Sequence, residues 1–178
     1  AHRDVEQTRE MLQTIIENMT DGVSLFDKDF RWQFSNRSHL QTMGYAPDMV
    51  RPGMSVEALI RLHATRGEYG PPNDIEALVK TSLERVTAPG GAHYERRMQN
   101  GRFIEFRFQP LSDGGTLGVY RDITELKERE EALAAAKAAA EAARDAAEKA
   151  RAEAAEARSE IERTREIMQT VLDNMSDG

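Results

Sequence analysis

The last third of the chain constrains the fold most, because it predicts one uninterrupted helix. Residues 124–175 contain neither glycine nor proline, and alanine makes up more than half of residues 132–157. A helix of roughly 50 residues would be about 75 Å long, and alanine favours the helical conformation more than any other residue. A single helix has no core of its own, so this segment predicts a partner helix.

Small and apolar residues recur every seven positions along this segment. One series comprises Leu126, Leu133, Ala140, Ala147, Ala154, Ile161, Met168 and Met175, and a second, three positions later, includes Ala136, Ala143, Ala150, Ala157, Thr164 and Val171. A sustained heptad pattern predicts a left-handed coiled coil. We therefore expect a homodimer whose seam contains Leu126, Leu133, Ile161, Met168 and Val171, joined by Leu12, Ile15 and Met19 of an N-terminal helix. The alanine-rich seam leaves both parallel and antiparallel pairing open.

The two ends of the chain repeat one another. The segment IERTREIMQTVLDNMSDG, which begins at Ile161, matches VEQTREMLQTIIENMTDG, which begins at Val5, at most positions. Such a repeat indicates a tandem array of modules. We therefore divide the chain into an amphipathic dimerisation helix (1–19), a globular domain (20–124), a coiled-coil helix (125–175) and the start of a second, truncated repeat (176–178).

Composition disfavours several functional classes. The formal net charge is −7, and acidic and basic residues alternate, so no basic stripe for nucleic acid or anionic lipid is present. The absence of cysteine excludes disulfides and thiolate nucleophiles and fits a reducing cytoplasm. No apolar run approaches the roughly 20 residues of a membrane span. We predict a cytoplasmic protein without membrane contact in this segment.

Periodicity predicts two strands, three short helices and three further strands between the terminal helices. Asn36, Ser55 and either Asn73 or Asp74 are candidate N-caps, and Asn100-Gly101 predicts a hairpin turn. This order resembles the PAS sensor domain, as do the motifs DGVSLFDKDF, NGRFIEF and GVYRDITELKERE. The resemblance covers residues 5–126 and, in truncated form, residues 161–178. It implies an α+β fold, with a five-stranded antiparallel sheet, helices on one face, an N-terminal helix and a long C-terminal coiled-coil helix.

The resemblance also implies where a signal would leave the domain. In this family a motif like Asp122-Ile123-Thr124 joins the last strand to a signalling helix. The RPG at Arg51 and the RGEYG at Arg66 look like a bacterial PAS subfamily found in multidomain cyclases and histidine kinases. Flavin-binding photoreceptor members use a reactive cysteine, which is absent here, and haem-binding members use a helical histidine. Of the two histidines on predicted helices, His39 and His63, His63 is the better candidate for a haem ligand. We nevertheless expect His63 to be a surface or half-buried residue. We predict neither a cofactor nor a metal ion.

Residues that could line a ligand pocket are expected first of all to form the core. They are Trp32, Phe34, His63, Tyr94, Arg96, Met98, Phe106 and Phe108. An unknown small ligand remains the alternative. Arg96 would need a partner on an inward face, either an internal carboxylate or an anionic ligand. If the faces of the strand are reversed, Arg97 takes that place.

We predict a non-catalytic module that relays a conformational signal through a parallel coiled coil. Its expected partners are a second copy and the PAS and output domains further along the same chain, the output being an adenylate or guanylate cyclase or a histidine kinase. Neither a kinase phosphoacceptor motif nor a nucleotide-binding glycine loop occurs in these residues. The alternatives are a structural dimerisation module without ligand and a haem or flavin sensor.

Overall fold

A computed structural model describes residues 2–70 and 74–176. The helices are α1 (His2–Glu17), α2 (Arg37–Thr42), α3 (Val56–Thr65), α4 (Ile75–Val86) and α5 (Thr124–Ser176). The strands are β1 (Gly22–Phe26), β2 (Trp32–Ser35), β3 (Ala92–Arg97), β4 (Phe103–Pro110) and β5 (Thr116–Asp122). The predicted element order is confirmed. Residues 177–178, in the expected start of the second repeat, lie outside the described part of the chain.

All five strands form one antiparallel sheet in the order β2-β1-β5-β4-β3. The five-stranded antiparallel sheet with accompanying helices is therefore confirmed. Register places Gly22, Tyr120, Phe106 and Tyr94 in one row across β1, β5, β4 and β3. This inner face packs against α2, α3 and α4, and the two layers enclose the hydrophobic core.

Local sequence explains the starts of the three short helices. Asn36, Ser55 and Asp74 each accept a hydrogen bond from a backbone N–H of the first turn, as the N-cap prediction required. The prediction left Asn73 or Asp74 open, and Asp74 is the cap. The helices α3 and α4 then bury apolar residues, which in α3 include Val56, Leu59 and Ile60, whereas the short helix α2 buries His39.

The chain forms two compact units, the first ending at Lys127 and the second beginning at Glu128. The described residues of the second unit are entirely helical and belong to α5, which confirms the predicted long helix. None of the α5 residues is buried. Leu133, Ile161 and Met168 expose 71%, 69% and 64% of their surface, so the predicted seam is available to another chain.

Candidate functional site

A small internal cavity lies between the sheet and the helices. Its volume is about 40 Å³, and its walls combine aromatic rings with a few polar groups. Five of the eight predicted pocket residues line it: His63, Tyr94, Arg96, Phe106 and Phe108. His39, Tyr45, Tyr69 and Tyr120 join them, and the sequence did not single these four out as pocket residues.

The other three predicted residues lie elsewhere. Trp32 belongs to the buried core, and Met98 is buried beside a surface cleft near Gly44. Phe34 lies on the outer face of the sheet beside α1. The register shifts between Leu25, which pairs with Phe34, and Phe26, which pairs with Trp32. Because this irregularity adds one residue to β2, Trp32 and Phe34 point to opposite faces although two positions separate them.

His63 is not the surface or half-buried residue that we expected. It is only 5% exposed, and both its ring nitrogens are bonded, Nδ1 to the carboxylate of Glu68 and Nε2 to the hydroxyl of Tyr45. Burial lowers the pKa of His63, although the Glu68 carboxylate acts in the opposite direction. In the neutral tautomer that satisfies both bonds, Nδ1 donates to Glu68 and the Tyr45 hydroxyl donates to Nε2.

Glu68 is a site residue that sequence reasoning missed. It is 8% exposed, and its second oxygen lies 3.1 Å from Arg66 Nε. Burial raises the pKa of Glu68, but hydrogen bonding with His63 and the positive charges of Arg66 and Arg96 outweigh burial and lower it. The RGEYG motif indicated only a bacterial PAS subfamily, and a loop carboxylate gives no sequence signal that it points inward.

His39 belongs to a second hydrogen-bonded chain beside the same cavity. Trp32 Nε1 donates to Ser35 Oγ at 2.8 Å, and Ser35 Oγ lies 2.5 Å from His39 Nδ1. The His39 ring also packs 4.2 Å from the ring of Tyr120. Burial, with a smaller contribution from His63, lowers the pKa of His39 from 6.5 to about 3. His39 is therefore a neutral hydrogen-bond acceptor.

The cavity does not fit haem or flavin. A cavity of about 40 Å³ is far below the several hundred cubic ångströms that such ligands occupy. Both nitrogens of His63 are already bonded, so an axial bond would break a buried network. Within residues 2–70 and 74–176, no group of His, Asp or Glu side chains is arranged to hold a metal ion.

Arg96 faces inward as the strand alternation predicted, whereas Arg97 is exposed. Its Cζ lies 4.4 Å from the ring centroid of Tyr69 and 4.6 Å from that of Phe106. No carboxylate in the described part of the chain forms a salt bridge with it. Arg96 Nε is buried and has no hydrogen-bond partner among the described residues. Two aromatic faces thus hold the cation, but one of its donors is unsatisfied.

Asn36 connects the N-terminal helix to the cavity wall. This fully buried side chain accepts hydrogen bonds from Val23 N at 2.8 Å and His39 N at 3.0 Å. Its amide donates to Ile16 O at 2.9 Å and Asp21 O at 3.0 Å. One side chain therefore joins the end of α1 and the segment after it to β1 and α2.

The segment Asp122–Thr124 ties the last strand to the start of α5. Thr124 N and Oγ1 both donate to Asp122 Oδ1, at 3.0 and 2.5 Å, and Arg102 Nε donates to Asp122 Oδ2 at 2.8 Å. Thr124 Oγ1 also accepts from Phe103 N at 2.9 Å. Burial raises the pKa of Asp122, but hydrogen bonds from Thr124 and Arg102 outweigh this effect and lower it.

A family model described as the PAS fold matches residues 16–132. The chain belongs to the PAS family. Among solved structures, the PAS domain of BvgS from Bordetella pertussis matches at 22% identity, a TM-score of 0.47 and coverage of 76% of this chain and 96% of the other. A domain of a sensory box sensor histidine kinase/response regulator from Geobacter sulfurreducens matches this PAS chain at 19% identity, a TM-score of 0.43 and coverage of 66% and 96%.

Two curated relatives come from Caulobacter vibrioides. Sensor protein DivL is 25% identical over 128 residues, which are 71% of this chain and 16% of DivL. The non-motile and phage-resistance protein is 26% identical over 123 residues, which are 68% of this chain and 13% of that protein. The PAS chain thus spans about a sixth or less of the length of these relatives. None of its described helices is both long and apolar enough to cross a membrane.

Proposed function

We propose that this PAS chain is a dimeric, non-catalytic signal-transmission module of a multidomain sensor protein. The observation that carries the proposal is the bonding of Asp122 and Thr124, which fixes the first turn of α5 to β4 and β5. Lys127 adds an ion pair at 2.6 Å with Glu95 of β3. A change in the sheet would therefore alter the direction in which the helix begins.

The output domain is proposed from a curated relative and from sequence motifs. DivL is named as a sensor protein, which supports a sensory role for the parent protein. The RPG and RGEYG motifs resemble those of a PAS subfamily found in both cyclases and histidine kinases, so we propose an output domain of one of these two classes. In either case the partners are a second copy of the chain, in parallel, and the PAS and output domains that follow in the same polypeptide. We place the module in the cytoplasm.

Asp122→Ala tests the relay in the full-length parent protein. The loss of a cap and of its local hydrogen bonds costs about 0.5–2 kcal/mol, which a folded domain tolerates. We expect the variant to fold, measured by thermal unfolding, and to lose the response of output activity to stimulus.

Asp113→Ala is the matched control, because Asp113 Oδ1 makes a similar local bond, accepting from Gly115 N at 2.9 Å, in a turn away from α5. That variant should be destabilised to a similar degree and respond normally. A normal response in Asp122→Ala would show that transmission does not pass through this joint, and would favour the structural dimerisation module.

A further inference from the structure

The hydrogen-bonded chain of Tyr45, His63 and Glu68 has no part in the proposed relay to α5. The Tyr45 hydroxyl donates to His63 Nε2, and His63 Nδ1 donates to the Glu68 carboxylate. The side chains of His63 and Glu68 are only 6% and 7% exposed, so both are shielded from solvent. A carboxylate that orients an imidazole, whose other nitrogen accepts from a hydroxyl, prepares that hydroxyl to lose its proton.

This arrangement favours electron transfer rather than reaction with a bound substrate. The neighbouring cavity of about 40 Å³ has room for a few water molecules at most, whereas an electron can leave the half-buried Tyr45 ring without opening the core. Burial raises the pKa of Tyr45, so the phenol is neutral at rest. A phenol that loses an electron becomes a strong acid, and its oxidation is therefore easiest where a base accepts the proton in the same step.

The hydroxyl of Tyr45 differs from that of the other buried tyrosine, Tyr120. The Tyr120 hydroxyl lies 3.0 Å from Ser24 Oγ, and a serine hydroxyl is not a base at neutral pH. Within residues 2–70 and 74–176, Tyr45 is the one tyrosine whose hydroxyl is bonded to a basic nitrogen. Tyr120 thus has a hydrogen bond but no acceptor for its proton.

Positive charge disfavours oxidation of the remaining two tyrosines. The Cζ atom of Arg96 lies 4.4 Å from the ring centroid of Tyr69, and that of Arg85 lies 5.0 Å from the ring centroid of Tyr94. A cation over an aromatic ring is attracted to its π electrons, so it opposes the loss of an electron from that ring. Tyr45 is therefore the tyrosine from which an electron is most easily removed.

A partner for the charge created at His63 is already in place. Burial lowers the pKa of His63, but an oxidised phenol is a far stronger acid than an imidazolium, so the proton still moves to Nε2. The ionised Glu68 carboxylate, bonded at Nδ1, then stabilises the imidazolium. The electron leaves while the proton stays inside the network.

We propose that Tyr45 is a redox-active residue that a one-electron oxidant converts to a neutral tyrosyl radical. The oxidant takes one electron from the phenol, the Tyr45 O–H bond breaks, and an N–H bond forms at His63 Nε2. The products are the reduced oxidant, the radical and an imidazolium paired with Glu68. An oxidant as stimulus rests on the proposed signalling function, but radical formation is measured in the 178-residue chain itself, so either can fail without the other.

Laser-flash oxidation with photogenerated tris(bipyridine)ruthenium(III) supplies the oxidant, and transient absorption and EPR spectroscopy detect the radical. In the wild type we expect a rate of radical formation that is independent of pH and of buffer concentration between about pH 7 and pH 9, because the proton acceptor is internal. The nearby His39, with a pKa of about 3, does not titrate in this interval. This measurement needs no variant, and a rate that rises with pH and with buffer base would overturn the proposal.

Two tyrosine variants locate the radical. Tyr45→Phe should lose most of the tyrosyl radical signal. Tyr120→Phe is the matched control, because it also removes one buried, hydrogen-bonded hydroxyl, and it should keep the signal. An undiminished tyrosyl signal in Tyr45→Phe, or a wild-type radical on Trp32 instead of a tyrosine, would contradict the assignment.

Two further variants test the base. His63→Gln removes the proton acceptor and should slow radical formation at least about tenfold. Glu68→Gln keeps a hydrogen-bond acceptor for His63 but not the negative charge, and should slow the reaction less. Radical formation at the wild-type rate in His63→Gln would show that the imidazole is not the acceptor and would overturn the proposal.

Discussion

At the scale of single residues, His39 and His63 occupy adjoining positions in the cavity wall, and burial keeps both neutral. Charged groups near them are Glu68, Arg66 and Arg96, while Ser35, Tyr45 and Tyr120 contact their rings. Protonation of His39 would place a charge among groups that now form neutral hydrogen bonds, whereas the Glu68 carboxylate would partly offset a charge on His63. The core should therefore be sensitive to mild acid.

We expect the free energy of unfolding to fall as the pH drops below about 6.5. His39 has a pKa of about 3 in the folded chain and 6.5 as its ordinary value, so the unfolded chain binds its proton first. The stability is complete above the unfolded pKa and decreases towards the folded pKa, by up to about 1.4 kcal/mol per pH unit for one histidine. Urea unfolding between about pH 7 and pH 5 measures this slope, before most carboxylates titrate.

His39→Gln should reduce the slope over the same interval. The variant keeps a polar side chain but has no group that titrates there. If its stability changed with pH as steeply as that of the wild type, His39 would not be a source of the acid sensitivity.

Sequence reasoning succeeded at single residues where a periodic pattern or a cap determined the position. Alternation along β3 placed Arg96 inward, and capping chemistry identified Asn36 and Ser55. It failed for His63, because its burial depends on contacts with Glu68, which lies 5 residues later, and with Tyr45, which lies 18 residues earlier. Neither partner belongs to a repeating pattern, so the sequence alone gives no signal of these contacts.

At the scale of secondary-structure elements, α5 follows its predicted bounds closely, whereas β2 does not follow simple alternation. The absence of helix-breaking residues made the long helix readable from composition alone. The register shift opposite Leu25 and Phe26 has no such signature, since neither glycine nor proline marks it. One extra residue in β2 was enough to place Phe34 on the wrong face in the prediction.

Pairing of α5 can be tested by disulfide trapping, because the native chain contains no cysteine. Leu133→Cys and Ile161→Cys place thiols in the exposed apolar series, and oxidation should link each to the same position of a second copy in a parallel pair. Ala138→Cys lies on the opposite side of the heptad and should remain unlinked. The products are separated by non-reducing electrophoresis.

Mixtures of two variants distinguish the antiparallel alternative. If the Leu133→Cys protein were linked only to a variant whose new thiol lies near the far end of α5, and never to its own copies, the pair would be antiparallel. Such a result would contradict transmission between successive domains, which needs both helices to run in the same direction.

At the scale of the whole molecule, a folded PAS unit is followed by a helical unit without a core of its own. The centre of the helical seam is alanine, and each alanine layer buries little apolar surface. Because burial stabilises by about 25 cal/mol per Å² of apolar surface, these layers contribute little to pairing. Leu126, Leu133, Ile161 and Met168 flank this weak centre. A coiled coil built in this way would change its helical register at low cost.

Deletions in the alanine-rich region test whether heptad phase carries information. Removal of the seven residues 139–145 takes out about two helical turns and returns the seam to the same face of the helix. Removal of four residues rotates the following part of the helix by about 40°, and removal of three rotates it by about 60° in the opposite sense. We expect the seven-residue deletion to preserve the response of the parent protein and the shorter deletions to invert or abolish it. Output activity, with and without stimulus, is the measurement.

Comparable activity and response in the four-residue and seven-residue deletions would identify α5 as a passive tether. The chain would then act as a structural dimerisation module. Circular dichroism of each deletion variant provides the control that the helix itself is retained.

The four hydrogen bonds of Asn36 would give the proposed signalling module a second route of control, through α1. Because this side chain holds the end of α1 and the backbone of His39 together, a displacement of α1 cannot leave the cavity wall unaffected. Coupling free energies between two binding events are reciprocal. A molecule that binds one position of α1 more tightly would change the affinity of the cavity for a ligand by some factor, and that ligand would change the affinity for the molecule by the same factor. If the proposed signalling function holds, a force on α1 would thus change the threshold of the response without acting on the cavity or on α5 directly.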